Sequence, residues 1–152
     1  MPKVEPSTAV VVKGSDYPGH FASQCAERLR LRLGHTGGLT TLGVNLTHLQ
    51  PGQWSSQRHW HSHEDEFVYM LDGEVVLVEE TGETRLRTGD SAAFPRGAPN
   101  GHHLVNRSSR VATYLEIGTN NPKDVVTYSD IDMMTEEGGG GFTRKDGTPI
   151  VE

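Results

Sequence analysis

An all-β domain, arranged as a sandwich or jelly-roll barrel, is the fold class this sequence predicts, and three observations predict it. Gly and Pro, 18 and 8 of 152 residues, are spread between short runs of β-type residues. Those runs recur at roughly 8- to 12-residue intervals with turn signals between them. No stretch carries an apolar 3.6-residue period long enough for a major helix.

The length suits one ordinary core, so a single domain over residues 1–152 is expected, with its centre at about 38–118. The formal charge of -6 supplies no basic field for a phosphate backbone, which argues against nucleic acid and for a small-molecule ligand. Cys25 is the single cysteine, so no internal disulfide and no paired-thiol zinc motif can form. The opening "MPKVEPSTAVVVKG" has one short apolar run, and no segment approaches a membrane span; a cytoplasmic protein without membrane partners is expected.

In chain order, "ERLRLRLG" alternates strictly, with Leu29, Leu31 and Leu33 on one side and Arg28, Arg30 and Arg32 on the other. The simplest reading is an edge strand whose arginines are solvated and discourage aggregation; a phosphate-binding stripe is the alternative. "GLTTLGVNLTHL" sets Leu42, Val44, Leu46 and His48 on one side before Pro51 and Gly52 break the pattern. "EFVYML", "EVVLVE" and "TRLRT" read as two successive hairpins, the first turning at Asp72-Gly73 and the second around "ETGET". "SAAFP", "HHLVN" and "RVATYLEIG" continue the series. Beyond Gly118 the chain is polar and Gly-rich, with "GGGG" at 138–141, which leaves a lid, a strap across a partner or a disordered end equally open for 119–152.

The chemistry concentrates in "QRHWHSHEDEFVYMLDGE". His59 and His61, two apart on an extended strand, share a face and can converge on one ion. Glu66 lies at the wrong interval for a straight strand, so a bend in Ser62–Asp65 must reset its parity toward the same cavity. Val68 and Met70 then line the interior while Phe67, Tyr69 and Leu71 form a second apolar face, which needs cover from the chain itself or another subunit. A homodimer is therefore expected. His102 and His103 are adjacent, so only one of them easily joins an inward site. Three histidines and one carboxylate suit one divalent transition metal (Mn, Fe, Zn or Ni) with coordination positions left open for a substrate.

At these residues the chain resembles the cupin superfamily. Gly52, His59, His61, Glu66 and Gly73 follow its first motif, G-x5-H-x-H-x3,4-E-x6-G, with one extra residue before His59. Gly89, Pro95, Gly97, His102 and Asn106 follow its second, G-x5-P-x-G-x2-H-x3-N, with two extra residues after Gly97. Asn100 stands where the usual spacing puts the ligand, whereas His102 has the right distance to Asn106. The resemblance implies a double-stranded β-helix holding a metal through His59, His61, Glu66 and His102, with His103 as the alternative fourth ligand. More narrowly, the sequence looks like a group of small bacterial cupins, some described as sugar or sugar-phosphate isomerases.

The remaining histidines, His20, His35 and His48, read as structural or exposed, and His63 as a turn residue near the site. Glu64 and Asp65 read as solvated, and Tyr69 and Arg58 point away from the site by parity. No nucleophile elbow, P-loop or H-E-x-x-H is present, and no catalytic acid or base stands out. Arg96 and Arg107 are the expected anchors if the substrate carries a phosphate. Three activities fit: a sugar or sugar-phosphate isomerase or epimerase working through a metal-stabilised enediolate, an Fe(II) dioxygenase, or a non-catalytic module for a sugar or small organic acid.

Overall fold

A computed structural model describes residues 2–151. In chain order the strands are β1 (Val11–Lys13), β2 (Leu29–Leu31), β3 (Leu42–Leu49), β4 (His59–His61), β5 (Glu66–Asp72), β6 (Glu74–Glu79) and β7 (Gly82–Arg87). They continue as β8 (Ser91–Phe94), β9 (His103–Val105), β10 (Ala112–Thr119), β11 (Val126–Tyr128), β12 (Met134–Thr135) and β13 (Phe142–Thr143). The helical pieces are short turns, and none of them is long and apolar enough to cross a membrane.

Six strands in the order β1-β2-β3-β10-β5-β8 form one wall. The facing wall is made of β7-β6-β9 and β13-β12-β11-β4, which meet through a bridge between His59 and His102. Pairing in both walls is antiparallel, and the two close on each other as a double-stranded β-helix. The dry core, including Leu49, Met70, Val75, Leu77 and Ala112, fills one end of the space between them. Truncating a side chain as enclosed as Met70 costs about 2–5 kcal/mol.

At the other end the sheet is turned inside out. Arg28 and Arg30 face inward while Leu29 and Leu31 face outward, the reverse of the solvated-arginine reading. On β3 the inward residues are Gly43, Asn45, Thr47 and Leu49, so Leu42, Val44 and Leu46 lie on the outer face. The cause is what the barrel encloses here: a polar cavity rather than hydrocarbon.

The outer face of the six-stranded wall is consequently apolar. Register places Val11, Leu31, Leu46, Leu115 and Tyr69 in one row, and Val44, Ile117 and Phe67 in the next. Phe67, Tyr69 and Leu71 are 37, 40 and 41% exposed, so the described residues leave this face partly uncovered.

The first expected hairpin does not form. β5 pairs with β10 and β8, whereas β6 pairs with β7 and β9, so Gly73 carries the chain from one wall to the other. Its φ of 78° suits glycine, and a Cβ there would lie 2.9 Å from the Val111 carbonyl oxygen. The second hairpin does form, with Glu79 paired to Gly82. The segment after Gly118 folds back: β11 pairs with β4, and β12 and β13 extend that sheet.

Candidate metal centre

β4 projects His59 and His61 from one wall, and β5 projects Glu66 from the other. Between them the chain bends at Ser62–His63, which restores the parity that the spacing required. His102 enters just ahead of β9, held by reciprocal backbone hydrogen bonds with His59 at 3.2 and 2.9 Å. Gly101 before it must be small, because a Cβ would collide with the Ser129 side chain.

The three imidazoles converge on one oxygen. Glu66 Oε1 lies 3.0 Å from His102 Nε2, 3.1 Å from His61 Nε2 and 3.5 Å from His59 Nε2. The potential ligand atoms of His59, His61 and Glu66 all fall within 4.8 Å of one another, and His102 joins them through the carboxylate.

Each ring is fixed from behind. Nδ1 of His59 faces the Gln57 carbonyl at 2.9 Å, Nδ1 of His61 the Asp124 carboxylate at 2.6 Å, and Nδ1 of His102 the Asn100 carbonyl at 3.0 Å. An acceptor facing Nδ1 fixes a proton on that nitrogen, which donates to it, so Nε2 of the neutral ring carries the lone pair. Three such lone pairs then face a carboxylate oxygen, and only positive charge makes that arrangement favourable: imidazolium protons or a divalent cation. The donor set therefore fits a first-row divalent ion. Phe94 stacks on His102 with ring centroids 3.6 Å apart and supplies a flat apolar wall.

The electrostatics follow. Burial alone would lower the His61 pKa, but Glu66 and Asp124 on its two nitrogens outweigh it and push the value up to about 9. Burial would likewise raise Glu66, yet hydrogen bonds from His102, His59 and His61 hold it well below the usual carboxylate range. His103 does not join the cluster: its Nδ1 donates to the Ser56 carbonyl at 2.8 Å and its ring stands edge-on to Trp54. Asn100 also turns aside, bonding the Glu79 carboxylate at 2.8 Å and the Glu80 amide at 3.1 Å. The two extra residues of the second motif thus lie in a loop. Asn106 ties that segment down by donating to the Leu49 and Arg110 carbonyls, both at 2.7 Å.

The cluster opens on a cavity of about 360 Å3, a size suited to a small ligand. Several residues of the site were not legible as such in the sequence. Tyr128, from the C-terminal extension, and Ser15 and Tyr17, from the N-terminal segment, line the cavity, and Asp124, also from the C-terminal extension, stands behind His61. Burial first, opposed by hydrogen bonds, pushes the Tyr17 hydroxyl up to about 12. Glu64, expected in solvent, is half-buried on the cavity wall, and burial followed by the Asp124 charge raises its pKa. Arg96 and Arg107 do not line the cavity; Arg107 instead makes an exposed bidentate pair with Glu83. His63 is exposed, and His48 bonds Thr113 on the outer face at 3.0 Å. Arg58 points away, clamping Asp130, Glu80 and the Gly101 carbonyl.

Comparisons with known proteins agree with this fold. The family model described as "Cupin domain" matches residues 45–118. Among solved structures, a sugar phosphate isomerase from a cupin superfamily, from Silicibacter pomeroyi, is 47% identical with a TM-score of 0.93, over 99% of this chain and 97% of that one. A candidate sugar phosphate isomerase from Acidithiobacillus ferrooxidans is 26% identical with a TM-score of 0.77, over 93% and 90% of the two chains. The polyketide cyclase RemF from Streptomyces resistomycificus, 18% identical with a TM-score of 0.66 over 90% and 89%, shares the fold. No protein of curated function matches the chain significantly. With the two-walled barrel, the inward histidine and glutamate cluster and a near full-length relative in hand, the chain belongs to the cupin superfamily.

Proposed function

We propose that this protein is a metal-dependent isomerase or epimerase acting on a sugar or sugar phosphate, with His59, His61, Glu66 and His102 as the metal ligands. The observation that carries the reading is the convergence of three oriented Nε2 atoms on Glu66 Oε1 inside a ligand-sized cavity. The name of the Silicibacter pomeroyi relative, sugar phosphate isomerase, supports the reaction class. Bound there, Mn, Fe, Zn or Ni would supply Lewis-acid polarisation of a carbonyl and the hydroxyl beside it.

The chain's own residues do the rest. Phe94, Val68 and Leu104 exclude water from one side of the cavity. Glu64, on the wall beside His61 and with a raised carboxyl pKa, is placed to take a proton from the carbon next to the carbonyl and return it. The outer apolar face of the six-stranded wall docks a second copy, making the working unit a homodimer.

Solvent-deuterium exchange, followed by NMR on a panel of aldoses, ketoses and their phosphates with metal-loaded protein, tests the chemistry. Exchange at the carbon beside the carbonyl is expected, and it should disappear in Glu66→Ala. Oxygen uptake coupled to substrate loss in the iron-loaded protein, without exchange, would instead identify a dioxygenase. Sedimentation of wild type and Tyr69→Glu tests the dimer: two copies for the first, one for the second.

A further inference from the structure

Among the described residues, the buried side-chain polar atoms that lack a hydrogen-bond partner are Ser15 Oγ, Arg28 Nε, Arg30 Nε, Thr47 Oγ1 and Tyr114 OH. They are not scattered. Ser15, Arg28 and Arg30 line the cavity that holds the histidine cluster, and register puts Arg30, Thr47 and Tyr114 side by side on the inner face of β2, β3 and β10. Every one of these atoms can donate a hydrogen, and the two arginine nitrogens can do nothing else. Buried donors without acceptors are costly, so such a group marks a place where an acceptor-rich ligand completes the structure.

The charge has the matching sign. Arg28 is only 5% exposed, and among the described residues no carboxylate lies within 4 Å of it. Its guanidinium is held by two backbone carbonyls, those of Ser55 and of Gly14, the latter at 2.7 Å, which fix its plane but leave its charge uncancelled. Arg30 is different: Glu116 pairs with it at 2.9 Å, and Asn45 holds that carboxylate from the other side. A neighbouring opening of about 670 Å3 leads to the same Ser15, Arg28 and Arg30 and adds Arg32 and His35 against one acid, Asp16, so the approach from this side is basic.

We propose that Arg28, Arg30 and Ser15 form a phosphoryl-binding subsite in the cavity that also holds the histidine cluster, so that the substrate is a phosphorylated sugar. The phosphate anchors at Arg28 and the carbonyl end lies at Glu66; this assignment of ends rests on the isomerase reading above. A phosphoryl group is favoured over a carboxylate because its three terminal oxygens match the larger number of unpaired donors, and because a planar guanidinium recognises it through paired N–H bonds. Arg28 and Arg30 sit on the strand whose arginines read from sequence as solvated, which is why Arg96 and Arg107 looked like the better anchors.

The test is calorimetric titration of inorganic phosphate into chelator-treated, metal-free protein, beside a separate Mn2+ titration. Wild type should bind one phosphate per chain saturably, with Arg28→Gln weakening it at least about tenfold, the loss of one charge-assisted hydrogen bond. Ser15→Ala should weaken phosphate severalfold; its hydroxyl makes no bond in the folded chain, so this variant decides the matter if Arg28→Gln fails to fold. Arg107→Ala should bind phosphate as wild type does, and acetate at equal concentration should not compete. Absent saturable binding, undiminished binding in both Arg28→Gln and Ser15→Ala, or acetate binding as tightly as phosphate would overturn the subsite. Phosphate bound with no Mn2+ uptake would leave the subsite standing and remove the isomerase reading; Mn2+ uptake without phosphate would do the reverse.

Discussion

At one end of the cavity the ring nitrogens of His61 each meet a carboxylate, and Nδ1 of His59 and of His102 each meet a carbonyl. Elsewhere in the same cavity Arg28 and Arg30 each keep a buried Nε–H without a partner among the described residues. Both regions are charged, enclosed and part of one cavity, so the contrast is not a matter of burial. The histidine region is organised around an acceptor the chain itself supplies, Glu66, and a cation would join an arrangement already held in shape. The arginine region has its guanidinium groups held by Glu116 and by backbone carbonyls but leaves both Nε–H groups without an acceptor, which a ligand must bring. Affinity for a metal and affinity for an anion should therefore respond to separate sets of substitutions.

The largest expected effect breaks the histidine end alone. Glu66→Ala should weaken Mn2+ or Ni2+ binding by more than about 100-fold in calorimetry while leaving phosphate affinity unchanged, and a parallel loss of both would show that the two ends are one unit. Next comes Asp124→Asn, which removes the charge behind His61 without touching the cavity oxygens; a 10- to 100-fold fall in metal affinity, on the order seen for such partners, is expected in the same titration.

A third effect depends on pH and separates metal-free from metal-loaded protein. The folded His61 pKa of about 9 lies above the unfolded value of about 6.5. Its stabilisation is therefore fully present below pH ~6.5 and is lost as pH rises through about 9. Chemical denaturation of the metal-free protein should show up to about 3 kcal/mol lost across that window, whereas saturating metal, which replaces the proton, should flatten the curve. The smallest effect is the control: Arg107→Ala breaks a solvent-exposed pair, and its thermal melting midpoint should be indistinguishable from that of the wild type.

The same contrast explains what could be read from the sequence. His59, His61 and Glu66 lie within one short stretch, where strand parity and one bend fix their relative directions. The all-β class was equally legible, because turn residues and short alternating runs are local signals. The choice of His102 over His103 needed the loop before it, whose two extra residues carry Asn100 away to Glu79 and Glu80. Asp124 was not legible at all, since nothing in "TNNPKDVVTYSD" announces that its chain will pair with β4. Arg28 and Arg30 were misread for a different reason. Alternation separates two faces but does not say which one is inside, and the usual rule of apolar inward fails where the interior is a polar cavity. The β5–β6 hairpin failed similarly: Gly73 was read correctly as a bend, but a bend can join two sheets as well as two neighbours.

The chain after Gly118 contributes a strand beside β4, the carboxylate behind His61 and the Tyr128 ring near His59. None of these lies within residues 45–118, the portion shared with the broad family. A descendant that exchanged only this appendage would keep the histidine and glutamate cluster yet alter the basicity of one of its rings and the shape of the floor beside another. The chemistry of the cluster is thereby open to change through the tail without any change in the barrel that carries it.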